Sequence, residues 1–176
     1  LLDDRLFNVP SMAVERSFET IVDMCKLSKK TFLRSMKLLG NYDEKIAGEI
    51  SNMESRLDHF EDQLGTYMMK LSQIGVSEEE SKSVAKILHT IDDFERIGDH
   101  AMNIVAVAEE LNVKGLSFSP KAQSEIDKIT AALTEILTVT TTAFETSDAS
   151  LAKTVEPLEE VIDDLIAETK RRHISR

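Results

Sequence analysis

Hydrophobic positions recur every three or four residues along most of the chain, which is the spacing of an α-helix with one buried face. The clearest stripe alternates steps of four and three between Asp43 and Gly75. Its members are Ile46, Ile50, Met53, Leu57, Phe60, Leu64, Tyr67 and Leu71. This alternation is typical of a helix in a long antiparallel bundle, so we predict an all-α fold of about five long helices.

Caps and helix-breaking residues bound the predicted helices. Asp43 can cap the second helix, and Ser77 followed by Glu80 forms a capping box at the start of the third. A Thr-rich stretch at 138–142 weakens the prediction for the fourth. We predict helices over residues 11–39, 43–75, 77–111, 120–144 and 148–173.

The second and fifth predicted helices match each other without gaps. Asp43 aligns with Asp148, Glu54 with Glu159 and Asp58 with Asp163, and the apolar positions between them also correspond. This match indicates an internal duplication of a three-helix unit. We therefore expect a first antiparallel three-helix bundle with its N-terminal lead-in at 1–111, a linker at 112–120, and a partial second bundle of two helices at 121–176.

Composition narrows the classes of function. The chain has 176 residues, and 32 Asp and Glu against 21 Lys and Arg give a formal net charge of −11 at pH 7. A surface this acidic repels a phosphate backbone, so we expect no nucleic acid partner. The single cysteine, Cys25, excludes an intrachain disulfide, and its place in an apolar stripe indicates a core residue. No apolar run approaches the ~20 residues of a membrane helix, so we expect a soluble segment.

Three pairs of carboxylates lie beside the apolar stripes. The pairs are Glu54 with Asp58, Glu95 with Asp99, and Glu159 with Asp163. Residues four apart share a helix face, so each pair repels unless a cation lies between its carboxylates. Two pairs facing each other across adjacent helices would form a site for Mg, Mn, Fe or, with His100 nearby, Zn. Most such pairs are solvated helix faces, which leaves a helical interaction module without metal as an alternative.

The stretch from Asp92 to His100 differs from this acidic background. Gly98 costs roughly 1 kcal/mol relative to Ala inside a helix, so we expect a neighbouring backbone or a ligand to come close there. Arg96 can pair with Asp92 or hold a carboxylate that binds the metal. We expect four further residues to contact the metal ligands without binding the metal themselves: Asp62, Asp92, Arg96 and His100.

Catalytic motifs are missing from the sequence. No histidine follows a Glu by three residues, as a ferritin-like di-iron site requires. There is no Gly-rich phosphate loop and no Cys/His zinc spacing. We therefore expect a non-enzymatic protein, with a metal-dependent phosphohydrolase that uses a two-metal carboxylate site as the alternative of another class.

The run Asp93-Phe94-Glu95-Arg96-Ile97-Gly98-Asp99-His100 resembles the hallmark of the PhoU family of phosphate-uptake regulators, and Met53-Glu54-x-x-Leu57-Asp58 resembles its partner motif. The resemblance implies two three-helix bundles, each with paired acidic motifs that can bind a multinuclear metal cluster. Carried over residue by residue, it implies first-bundle ligands at Glu54, Asp58, Glu95 and Asp99. The second bundle retains only Glu159 and Asp163, because the partner helix has no counterpart here, and Pro157 departs from a smooth family helix.

The opening Leu2-Asp3-x-Arg5-Leu6-x-x-x-Pro10-x-x-Ala13 resembles the segment that joins the membrane part of bacterial sodium–phosphate cotransporters to their C-terminal PhoU-like domain. A start at Leu rather than Met fits an upstream transporter domain in the same polypeptide. The resemblance implies a cytoplasmic regulatory domain that modulates phosphate uptake at the cytoplasmic face of the inner or plasma membrane. A free-standing PhoU-type regulator of phosphate ABC transport and signalling is the alternative. An unfinished second bundle would expose apolar surface and favour a homo-oligomer.

Overall fold

The computed structural model describes residues 2–146 together with Asp164 and Ala167. A short 3₁₀ helix, Asp4–Asn8, precedes four α-helices: α1 (Pro10–Leu38), α2 (Glu44–Gln73), α3 (Glu78–Lys114) and α4 (Pro120–Thr146). These described residues contain no strand, which confirms the all-α class. The predicted fifth helix falls outside the described residues except for Asp164 and Ala167, whereas the first helix of the predicted second bundle is α4.

Side-chain caps fix the starts of α2 and α3 where the sequence predicts them. The Asp43 carboxylate accepts hydrogen bonds from the backbone N–H groups of Lys45 at 2.8 Å and Ile46 at 3.3 Å. At the start of α3, the Glu80 N–H donates to the Ser77 hydroxyl at 3.1 Å, and the Ser77 N–H donates to the Glu80 carboxylate at 3.0 Å. The capping box is therefore complete, and two otherwise unsatisfied donors have partners.

The predicted end of the third helix and the predicted linker need correction. α3 continues past Leu111 to Lys114, which leaves 115–119 as the connection to α4. Gly115 ends the helix because it takes a left-handed backbone conformation at φ 63°, and the next N–H donates back to the Leu111 carbonyl at 2.9 Å. The end of α3 is therefore set by the backbone conformation of Gly115 and not by the apolar position at Leu111.

Threonine does not interrupt α4, which extends to Thr146. Hydroxyl groups along the helix donate to the backbone carbonyl four residues earlier, at distances from 2.7 to 3.0 Å. The donors are Thr130, Thr134, Thr138, Thr141, Thr142 and Thr146. These bonds turn the hydroxyls onto their own helix and leave the methyl groups outward.

α1 is the central helix and packs against α2, α3 and α4. The main core joins residues of α1, α2 and α3, including Ile21, Leu57, Leu64 and Phe94. Most of the predicted stripe of α2 is buried, but Ile46 is 36 % exposed, because it lies in the first turn at the end of the bundle. No described helix contains an apolar stretch long enough to cross a lipid bilayer.

α4 shares a core with the first three helices. The Phe144 ring lies 6.2 Å from Phe18 of α1 and 6.4 Å from Phe94 of α3, measured between ring centroids. Cys25 of α1 is fully buried, as predicted, and its Sγ lies 2.8 Å from the Thr141 Oγ1. Whether 121–176 forms a separate unit stays a prediction, since its second helix is not among the described residues.

Candidate metal centre

Five carboxylates from two helices meet on one side of the bundle, and we call them the carboxylate cluster. They are Glu54, Asp58 and Glu61 of α2 and Glu95 and Asp99 of α3. Carboxylate oxygens of Asp58, Glu61 and Glu95 lie within 4.8 Å of one another. Glu54 lies close enough to Asp58, and Glu95 close enough to Asp99, for the charges of each pair to repel each other. The structure thus brings together the four first-bundle residues that the sequence singles out, while metal binding itself stays a prediction.

The close approach of α2 and α3 depends on Gly98. A Cβ atom on residue 98 would lie 3.0 Å from Leu57 Cδ1 and 3.7 Å from Glu54 Cγ. The sequence predicts a neighbouring backbone or a ligand at this point, and the structure shows the side chains of α2 instead. The glycine thereby brings the cluster residues of the two helices face to face.

Partial burial and the crowding of like charges raise the pKa of three glutamates. Partial burial, followed by the nearby carboxylates of Asp99, Glu61 and Asp58, raises the pKa of Glu95 to about 7. Partial burial and then Asp58 and Asp99 raise the pKa of Glu54. Burial, and then a set of acids headed by Asp92, raises the pKa of Glu61. The cluster is therefore a place where negative charge is held at a free-energy cost.

Within residues 2–146, no lysine or arginine forms an ion pair with the cluster. Arg96 is exposed, and the pair with Asp92 that its spacing allows is not formed in this described range. The repulsion between the cluster carboxylates must consequently be reduced by water, by protonation or by a bound cation. A group of carboxylate oxygens at this spacing fits hard cations such as Mg²⁺ or Mn²⁺ and also iron.

The residues expected to support the ligands lie in different places. Asp62 and Asp92 line a cavity of about 420 Å³ beside Glu61, so they adjoin the cluster. His100 instead lines a groove between α3 and α4, on the other flank of α3. Glu159 and Asp163, the predicted second site, fall outside the described residues.

The sequence prediction missed Glu61. This residue lies three positions after Asp58 and seven after Glu54, so it falls on the same face of α2. Its spacing carries the signal, but a search limited to carboxylates four residues apart does not detect it. With Glu61 included, α2 supplies three of the five carboxylates and α3 supplies two.

Comparison with known protein families matches residues 21–108 to the PhoU domain. This match spans half of the chain and contains all five cluster residues and Gly98. No curated protein and no solved structure matches the chain significantly. PhoU proteins are regulatory and non-enzymatic, and they act in phosphate homeostasis. Because this match covers half of the chain, including α2 and the part of α3 that carries the cluster, the chain belongs to the PhoU domain family.

Proposed function

We propose that the chain is the cytoplasmic regulatory domain of a sodium-dependent phosphate transporter and that a metal ion at the carboxylate cluster controls how α2 packs against α3. The observation that supports this proposal is the convergence of five carboxylates from two helices, with no lysine or arginine of residues 2–146 paired to them. Membership of a family of phosphate regulators supports the regulatory role.

The chain's own residues define how such a site would work. Asp58, Glu61 and Glu95 lie close enough together to hold one ion, and the carboxylates of Glu54 and Asp99 lie near enough to interact with their charges. A bound cation supplies the positive charge that offsets their repulsion. Because ligands come from both α2 and α3, occupancy of the site couples directly to the distance between these two helices.

Isothermal titration of Mn²⁺ into metal-stripped protein tests the site. We expect the Glu95→Gln/Asp99→Gln variant to lose the tightest binding event. The matched control is Glu15→Gln/Glu19→Gln, which removes the same charge from another acidic pair, on exposed positions of α1. An unchanged stoichiometry in the cluster variant, or an equal loss in the control, would refute the metal site. Competition with Mg²⁺, Zn²⁺ and Fe²⁺ ranks the cations.

The transporter role requires the full-length polypeptide that contains this chain. Radiolabelled phosphate uptake into membrane vesicles would be measured with and without a sodium gradient. We expect sodium-dependent uptake in both forms, with its rate altered by Glu95→Gln/Asp99→Gln. Lack of sodium-dependent uptake, together with co-purification of a phosphate ABC importer, would instead support the free-standing regulator.

A metal-dependent phosphohydrolase is the remaining alternative, because a carboxylate cluster can also hold two metal ions for hydrolysis. A phosphomonoester assay in the presence of Mn²⁺ distinguishes it. We expect no turnover above the metal-free blank. Turnover that disappears in Glu95→Gln/Asp99→Gln but persists in Glu15→Gln/Glu19→Gln would favour the enzyme.

A further inference from the structure

An apolar groove runs between α3 and α4, with α1 as its floor. It encloses about 630 Å³, whereas one water molecule occupies about 30 Å³ of liquid. Phe32 and Met36 come from α1, Ile97 and Ile104 from α3, and Ile129 and Leu133 from α4. Polar lining is confined to Asp93, His100 and Asn103, all from α3. A groove of this size and character requires an apolar occupant to exclude water.

The groove side of α4 is the part of its apolar face that α1 leaves uncovered. Thr141 and Phe144 face α1, where Thr141 meets Cys25 and the Phe144 ring meets Phe18. Leu137, one turn before Thr141, is buried and already lines the groove. The next apolar positions around the helix, Ile129, Leu133 and Ile136, line the groove. Positions on the opposite side, such as Asp127, Glu135 and Thr138, are exposed and polar. Any further helix that packs against α4 through an apolar stripe must therefore use the groove side.

The chain itself supplies such a stripe directly after α4. The predicted helix at 148–173 carries Leu151, Val155, Leu158 and Ile162 at steps of four and three. The sequence predicts that the fourth helix ends near Phe144 and that Asp148 caps this next helix, and so short a connection makes two helices antiparallel neighbours. Asp164 and Ala167 are helical and exposed, and helical spacing places both opposite the stripe.

Direction and charge also favour the groove. The Phe144 ring contacts Phe94 at one end of the groove, and the residues of α3 that line the groove continue from there to Val107. A helix returning along α4 would enter at this contact and follow α3. The flank of α4 beyond α1 instead adjoins a pocket with three glutamates, Glu15, Glu19 and Glu145, which repel a segment rich in acidic residues.

We propose that residues 148–173 dock as a helix in the groove between α3 and α4, with Leu151, Val155, Leu158 and Ile162 facing Ile97, Ile104, Ile129 and Leu133. This arrangement completes the apolar contacts of α4 within one molecule. It assigns the last helix to the same core as α1, α3 and α4 rather than to a separate two-helix unit. The proposal does not depend on metal binding or on phosphate transport.

Disulfide trapping in the full chain tests the docking. Leu158 lies as far along the segment from Asp148 as Ile104 lies along α3 from Phe94, so the two positions would stand level. In a Cys25→Ser background, we expect mild oxidation of Leu158→Cys/Ile104→Cys to give an intramolecular disulfide. The control pair, Leu158→Cys/Glu135→Cys, places the second thiol on the polar side of α4 and should not cross-link.

Three outcomes would overturn the proposal. A disulfide in the control pair would place the segment on the wrong side of α4. Dimers that join isotopically labelled to unlabelled chains through Ile104→Cys would show that a second copy occupies the groove. Lack of any cross-link in either pair, in protein that retains its helical circular dichroism, would show that the segment does not lie there.

A second measurement does not depend on forming the disulfide. Maleimide labelling of Ile104→Cys, again with Cys25→Ser, reports directly on how open the groove is. Adding Leu158→Asp and Ile162→Asp should raise the labelling rate by about tenfold or more, because charged side chains cannot stay in an apolar groove. The control is Asp164→Asn/Glu168→Gln, which changes charge outside the stripe and should leave the rate unchanged. An equal rate with and without the aspartates would contradict the docking.

Discussion

Leu57 of α2 lies directly over Gly98 of α3, and a Cβ atom on residue 98 would lie only 3.0 Å from the Leu57 Cδ1. Leu57 is fully buried, so it has little freedom to move away. Asp58 follows Leu57 in the sequence, and Asp99 follows Gly98, so the contact that closes the helices also brings their carboxylates together. The contact between Leu57 and Gly98 therefore accounts both for the close packing of α2 against α3 and for the crowding of their carboxylates.

Replacement of glycine by alanine should have different effects at different points of these helices. In an open helical position, Gly→Ala stabilises by about 1 kcal/mol. Gly48→Ala in α2 should show this gain, because nothing lies within 4 Å of a Cβ there. Gly98→Ala should show none of it, since the new methyl group presses on Leu57, and Gly98→Val should destabilise by about 2 kcal/mol.

Urea unfolding of the three variants measures these free energies. Gly65→Ala serves as a second reference, because its Cβ would also meet nothing within 4 Å. Equal stabilisation at positions 48 and 98 would show that α2 and α3 can separate without cost, and it would remove the explanation given for Gly98.

Stability should fall as the pH rises through the range in which Glu95 ionises. The pKa of Glu95 is about 7 in the folded protein, against an ordinary value of 4.5 for a glutamate side chain exposed to water. Between these values the folded state binds more protons than the unfolded state, so the free energy of unfolding decreases with rising pH. Glu54 and Glu61 contribute in the same direction, because burial and neighbouring acids raise their pKa as well.

Urea midpoints at about pH 5.5 and about pH 7.5, measured with a chelator present, test this prediction. We expect the higher midpoint at the lower pH. The dependence should flatten in Glu95→Gln, and it should persist in Glu15→Gln, which lies on another helix. A midpoint that rises with pH would contradict the like-charge crowding described for the cluster.

Cys25 should be chemically inert as long as α4 stays on α1. The Thr141 hydroxyl donates to the Leu137 carbonyl, so it is free to accept a hydrogen bond from the Cys25 thiol. Burial raises the pKa of Cys25 to about 11, which leaves almost no thiolate at neutral pH. Reaction with a chromogenic disulfide should be about a hundredfold slower in folded than in denatured protein.

An introduced thiol provides the reference rate for that experiment. Ser124→Cys, at an exposed position of α4, should react in the folded protein as fast as in urea. Rapid labelling of Cys25 without denaturant would mean that α4 leaves α1 on the timescale of the reaction.

The start of α3 depends on Ser77. Ser77→Ala removes the acceptor for the Glu80 N–H and should destabilise the protein by about 1 kcal/mol. Ser81→Ala is the matched control, because this exposed serine lies one turn inside the helix, where alanine is the better helix former. A Ser77→Ala variant as stable as Ser81→Ala would show that the cap does not limit stability.

Periodicity and capping chemistry were sufficient to predict the four described helices and two of their starts. Apolar spacing reports which face is buried, and residues such as Asp43 and Ser77 bind their own backbone, so both signals are local in the sequence. The end of α3 was placed too early because it is set by the backbone conformation of Gly115 and not by an apolar position.

The candidate site was predictable only in part. Spacing along each helix identified Glu54, Asp58, Glu95 and Asp99, and the family resemblance paired the two helices. Glu61 was missed because its spacings of three and seven residues fall outside a search for carboxylates four residues apart. His100 lies on the opposite flank of α3 because the rotation of this helix about its axis depends on contacts with α1 and α2. The sequence also gives no sign that α4 leaves a groove beside α3, since that depends on the angle between two helices.

α3 presents Glu95 and Asp99 on one flank and Ile97 and Ile104 on the other. A helix is stiff around its own axis, so the two flanks cannot turn independently. An ion that draws Glu95 and Asp99 towards α2 would rotate α3 as a whole. Ile97 and Ile104 would then shift relative to α4. In this way α3 would convert a change of charge at the carboxylate cluster into a change of shape at the groove beside α4.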